Sequence, residues 1–134
     1  MKTFIIAYLS SIVPMLAIDG VWLVTMSKRF YAVRLGSIMA NSPKLVPAVV
    51  FYLVYNLGVA LLVVVPAVDH HTAMLKVLLY GGLLGLVAYG TYDLTNQATL
   101  REWSPVVTIV DLVWGALLTG SVSVIAVSFT RYIK

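Results

Sequence analysis

Four apolar runs, residues 3–26, 45–66, 73–94 and 105–129, each approach the ~20 residues that an α-helix needs to cross a ~30 Å hydrocarbon layer. Nothing about a soluble core calls for four such segments in 134 residues. A soluble domain carries about 25% charged residues, whereas this chain has 10%, with 61% of its residues hydrophobic. In lipid the backbone must satisfy its own hydrogen bonds, and the runs lack the polar–apolar alternation of barrel strands. The expected architecture is therefore an all-α membrane protein, a four-transmembrane-helix bundle forming one domain over residues 1–134. It should be a multi-pass protein of the cell inner (plasma) membrane.

The chain has no cysteine, which removes disulfides, thiolate metal sites and cysteine nucleophiles from consideration. Lys2 precedes the first run as it would in a signal peptide. That run is too long for one, however, and no Ala-x-Ala-like cleavage site precedes Asp19-Gly20, so it is expected to stay as a span. The net charge of +4 comes from Lys and Arg in loops and near the termini, where anionic headgroups would hold them. The lipid bilayer is the partner this implies. Nucleic acid is not implied, and no motif calls for a cofactor.

Polar chemistry is concentrated between Tyr89 and Trp114, which holds two of the four aspartates, the only glutamate and two of the three tryptophans. The first run adds Asp19 beyond a mid-run Pro14, which should kink the helix and free a carbonyl. An ionisable group this deep costs ~2.5–3.5 kcal/mol on insertion scales and normally faces the bundle interior. Residues 27–44 mix Lys28, Arg29, Arg34 and Lys44 with Phe30, Tyr31, Leu35 and Ile38, as a short interfacial amphipathic helix would. The second run sets Tyr52 and Asn56 one turn apart, and the turn after it contains Asp69-His70-His71. Adjacent histidines can bind metal, although a surface turn that contains them is the simpler account. In the third run Gly81-x-x-x-Gly85 would let another helix approach closely, and a homodimer through Gly81 and Gly85 is expected.

Alternating spans put the end of run one, the start of run two, the end of run three and the start of run four at one membrane face, here face B. Asp19 lies about seven residues from its end of run one and Asp111 about six from its end of run four, so at ~1.5 Å per residue both sit ~9–11 Å below that face. Each opens the same tetrad, Asp19-Gly-Val-Trp22 and Asp111-Leu-Val-Trp114, on helices of opposite direction. That geometry should place Trp22 nearer the surface and Trp114 deeper. Asp93 and Asn96 enter from run three. The expected site is a ligand, proton or cation site of Asp19, Asp93 and Asp111 with Asn56, Asn96, Tyr89, Tyr92, Trp22 and Trp114, and Arg101 close above. The three aspartates are also the candidates for holding a metal. No Lys or Arg is expected to be buried in a span to neutralise them, so a proton, a cation, Arg101 or water must do so.

Asp-x-x-Trp late in run one, Phe51-Tyr52 with Tyr55 and Gly58, the segment Tyr92-Asp93-Leu94-Thr95-Asn96, and Asp111-Leu-Val-Trp114-Gly resemble a bacterial family of small four-span membrane proteins catalogued as a domain of unknown function. The resemblance covers essentially the whole chain. It implies four transmembrane helices in an inner membrane and brings no activity with it.

Three functions fit these residues. A transporter or small-ligand-binding bundle would use the buried aspartates to exchange protons or a cation, with aromatic faces against a small-molecule or lipid ligand. A membrane enzyme on a lipid-like substrate would split acid and base roles between two carboxyls, or hold a divalent cation, but no strong nucleophile supports it. An accessory subunit of a larger complex would use the cluster only as a neutral hydrogen-bonded knot.

Orientation comes from the positive charges. Face B has Lys28, Arg29, Arg34, Lys44 and Arg101; the other face has Lys2, Lys76, Arg131 and Lys134. The loop 27–44 concentrates four of them, while residues 67–72 carry only Asp69 and two histidines, which favours face B in the cytoplasm and both termini outside. A reporter active only outside the cytoplasm, fused after Lys134, is expected to give a signal. A signal only from a cytoplasmic reporter would reverse this orientation, and comparable signals from both would mean dual insertion.

Overall fold

The computed structural model describes residues 1–134 and is built of helices alone. α1 (Lys2–Met26) passes through a π-helical turn (Ser27–Tyr31) into α2 (Ala32–Leu35). α3 (Leu45–Val59) likewise passes through a π turn (Ala60–Val64) into α4 (Val65–Asp69). α5 (Met74–Thr99) and α6 (Pro105–Ile133) complete the chain. The composite helices Lys2–Leu35 and Leu45–Asp69, together with α5 and α6, are each long and apolar enough to cross a membrane. The chain is a four-span protein. Each span runs on past the C-terminal end of the expected run, by as little as Ala67–Asp69 in the second and as much as Ser27–Leu35 in the first.

The first composite helix departs most from expectation. Residues 27–35 do not form a separate interfacial helix; they prolong α1 through a π turn, which adds one residue to a helical repeat and rotates the residues beyond it. Phe30 and Leu35 are thereby buried against Trp103 and Val107 at the start of α6. Ser37 Oγ donates to Glu102 Oε2 at 2.7 Å nearby, closing this end. At the opposite end Arg131 Nη2 donates to the carbonyls of Ala67 (2.7 Å) and Thr72 (2.8 Å), and Lys134 pairs with Asp69 at 3.3 Å. The Asp69-His70-His71 turn is thus held by backbone-to-arginine bonds, with His71 at φ 50° where the chain reverses.

The most extensive contact is between α5 and α6. Gly81 and Gly85 are buried in it: a Cβ on Gly81 would meet Ser123 and the Thr119 carbonyl, and one on Gly85 would strike the Gly115 backbone. This corrects the expectation that the two glycines serve a homodimer. Their face is consumed within the protein, and no small-residue stripe remains there for a second copy. On the other side, α6 packs on α1, and the end of α3, the second π turn and α4 fill the middle with Val59, Ala60, Val63, Val64 and Ala67. α3 has almost no direct contact with α5; the two spans meet where the second π turn reaches α5. The bundle is therefore closed toward one face and parted between α3 and α5 toward face B. Gly85→Ala is expected to lower stability by about 1–3 kcal/mol, because the obstructing atom is backbone and cannot swing away. Unfolding in mixed micelles measures this, with Gly20→Ala, whose Cβ would meet nothing within 4 Å, as the neutral comparison.

Candidate functional site

Asp19 on α1 and Asp111 on α6 are 4% and 7% exposed, so their charge must be answered inside the protein. Asp19 accepts hydrogen bonds from the Tyr52 hydroxyl of α3 and from Trp114 Nε1 of α6, the latter at 3.0 Å. Asp111 accepts one from the Tyr31 hydroxyl, which in turn accepts from Trp22 Nε1 at 3.0 Å. The two indoles stack face to face, with ring centroids 4.1 Å apart and planes 9° from parallel. One chain of contacts therefore runs Asp19, Trp114, Trp22, Tyr31, Asp111. The repeated Asp-x-x-Trp tetrads become reciprocal partners, the tryptophan of each serving the aspartate of the other directly or through Tyr31. The expected split of Trp22 toward the surface and Trp114 toward the interior does not separate them.

Asp93, on α5, is fully buried, and no donor reaches either of its carboxyl oxygens. The acid beside it is Asp111, and no hydrogen bond joins the two. Two neighbouring carboxyl groups held out of water call for a proton or another cation to relieve their repulsion. Arg101 does not supply it: the side chain is exposed, and the one ion pair in the structure is Lys134–Asp69 at the far end. Nor do Asp19, Asp93 and Asp111 converge on one point, since no three carboxyl or imidazole groups are placed to hold a metal ion.

A cavity of about 460 Å3 reaches these groups. Its back is Asp19, Trp22 and Leu23 of α1 with Asp111 and Trp114 of α6. Its sides are Ala48, Phe51 and Tyr52 of α3 and Ala88, Tyr89 and Tyr92 of α5, the two helices that stand apart. Of the sequence-derived site residues, Asp19, Asp111, Trp22, Trp114, Tyr89 and Tyr92 line this space. Asp93 stands behind Asp111. Asn56 is fully buried outside the wall, with Nδ2 donating to the Tyr52 carbonyl at 2.9 Å and its Oδ1 unpartnered. Asn96 is half-buried and also stands outside it.

Two residues that matter here were not among those candidates. Tyr52 has a sequence signal, since it lies one turn from Asn56 on the polar face of α3. Tyr31 has none: it belongs to a basic, aromatic stretch that reads as a headgroup anchor, and only the π turn ending at Tyr31 directs it back to Asp111. π turns recur at functional sites for this reason.

With this geometry in place, comparison with known proteins adds one finding. The family model described as "Predicted membrane protein (DUF2177)" matches residues 4–128. The chain belongs to this family. No curated protein and no solved structure matches it. The match reaches into all four spans of this family member and includes every residue of the cavity wall, and it carries no activity with it.

Tyr31→Phe is expected to cost about 1–3 kcal/mol, because it leaves Asp111 without its hydroxyl donor and the Trp22 N–H without its acceptor. Unfolding in micelles gives the loss, and a shift in tryptophan emission reports the loosened indole pair. Tyr92→Phe, which removes an exposed hydroxyl, is expected to change neither.

Proposed function

We propose that this family member is a membrane-embedded binding bundle of the transporter kind, taking a small ligand into the cleft between α3 and α5 with Asp19 and Asp111 as its polar contacts. The observation that carries this reading is the cavity. It brings two nearly buried carboxyls and six rings, Trp22, Trp114, Phe51, Tyr52, Tyr89 and Tyr92, to the wall of one space of about 460 Å3. Small-molecule sites occupy about 300–1,000 Å3, are mostly apolar, and hold a few convergent polar groups. Intramembrane acids facing such a space commonly mark solute or ion paths. The parted α3 and α5 supply a way in that needs no rearrangement of the tight α5–α6 seam.

A second reading has its own support. The hydrogen bonds of Asp19 and Asp111 join α1, α3 and α6, as a knot in an accessory subunit would. Enzyme chemistry draws less from the site, which presents no placed metal trio.

The two leading readings separate on one variant. Ala88 lines the cavity without taking part in any of these bonds, so Ala88→Phe fills the space and leaves the knot intact. A small-molecule library screened by thermal shift is expected to yield compounds that stabilise the natural chain; a ligand at 100 times its Kd adds about 2.7 kcal/mol. Those compounds should fail to stabilise Ala88→Phe. If every stabilising compound acts equally on both forms, the cavity is not the binding site and the knot stands alone.

A further inference from the structure

We infer that the ligand class of this cleft is an amphipathic organic cation, an alkylammonium head on a hydrocarbon chain, entering sideways from the bilayer. This rests on the binding reading above and adds the chemistry of the occupant.

The charge of the wall is one-sided. Asp19 and Asp111 are the only ionisable acids or bases on it apart from tyrosine hydroxyls, and no Lys, Arg or His lines the space. The bonds from Tyr52, Trp114 and Tyr31 come from neutral groups, which satisfy lone pairs without cancelling charge. Behind Asp111 lies Asp93, fully buried, with both oxygens lacking any donor. Its demand points in the same direction as that of the wall, and no positive group of the protein answers either. An anionic head would meet two carboxyls at the end of the cavity. A neutral one would leave the site's charge as it stands.

The shape of the wall adds to this. Trp22, Trp114, Tyr52 and Tyr89 present ring faces or edges around the same space, and aromatic enclosures of this kind attract ammonium groups through the negative faces of their π systems. Outside the acids the cleft turns apolar: the lining residues Leu23, Ala48 and Phe51 are exposed on spans that lie in hydrocarbon. A head seated at Asp19 therefore leaves its chain pointing between α3 and α5 into lipid, through the gap where those two spans make almost no direct contact.

The test uses the full chain in nanodiscs of zwitterionic lipid and three spin probes of equal chain length, each with a nitroxide at the head, which quenches nearby tryptophan emission. One is a dodecyldimethylammonium nitroxide, one a neutral dodecyl ether, one a dodecyl phosphate. The cationic probe is expected to quench saturably and the other two only in proportion to their partitioning into lipid. Asp19→Asn and Asp111→Asn should each weaken the cation by roughly tenfold or more, as loss of a charge-assisted contact does. Ala88→Phe should remove the saturable part. Saturable quenching by the neutral or anionic probe as strong as by the cation, removed by Ala88→Phe, overturns the cationic class and leaves the binding site standing. Saturable quenching that survives Ala88→Phe, or none from any probe, overturns the binding reading and this inference with it. Should the aspartate variants fail to fold, the probe series with Ala88→Phe still decides.

Discussion

A carboxylate in a hydrocarbon layer has no water to turn to, and the membrane half of this protein at face B is arranged around that fact. Asp19 and Asp111 draw donors from three spans: Tyr52 from α3, Trp114 from α6, and Tyr31 from the π turn that prolongs α1. Each bond is modest when exchanged against water and costly to lose when there is none. The Trp22–Trp114 stack joins the two halves, so the positions of α1 and α6 are set by polar contacts as well as by packing.

Packing does the rest, unevenly. In a bilayer the lipid tails are as apolar as the side chains, so helices associate where backbones can approach closely. The seam of Gly81 and Gly85 against Gly115, Thr119 and Ser123 allows that approach between α5 and α6. α3 has no such face toward α5: Ala48, Phe51 and Tyr52 line the cavity on that side instead. One rigid pair and one parted pair in the same bundle give a cleft with a fixed back wall. Asp111 belongs to the rigid pair and Asp19 to α1, so a ligand between them would feel charge held by two packed elements without having to order either.

Much of this arrangement was legible in the chain. Span number comes from run length against bilayer thickness, and the common depth of Asp19 and Asp111 from counting residues to the ends of their runs. Both quantities are local, depending on rise per residue and on direction, which alternates from span to span. The failures are those of rotation and partner. Gly81-x-x-x-Gly85 announces close approach to some helix without saying which, and the near neighbour α6 takes that face before any second copy can. Trp22 and Trp114 diverge along opposed helix axes, yet their long side chains bring the rings together. Asn56 and Asn96 are polar and each lies one turn from a lining residue, Tyr52 and Tyr92, but both stand beyond the cavity wall.

By itself, then, the sequence determined that this is a four-span membrane protein with buried acids gathered toward one face, because hydropathy and helical rise act along a single chain. Only the tertiary structure decided which side chains answer those acids and that a space remains beside them. Tyr31 shows why. Its meeting with Asp111, 80 residues away, depends on one extra residue in a helical turn and on the angle at which α1 crosses α6, and neither is written in the polarity of its neighbours.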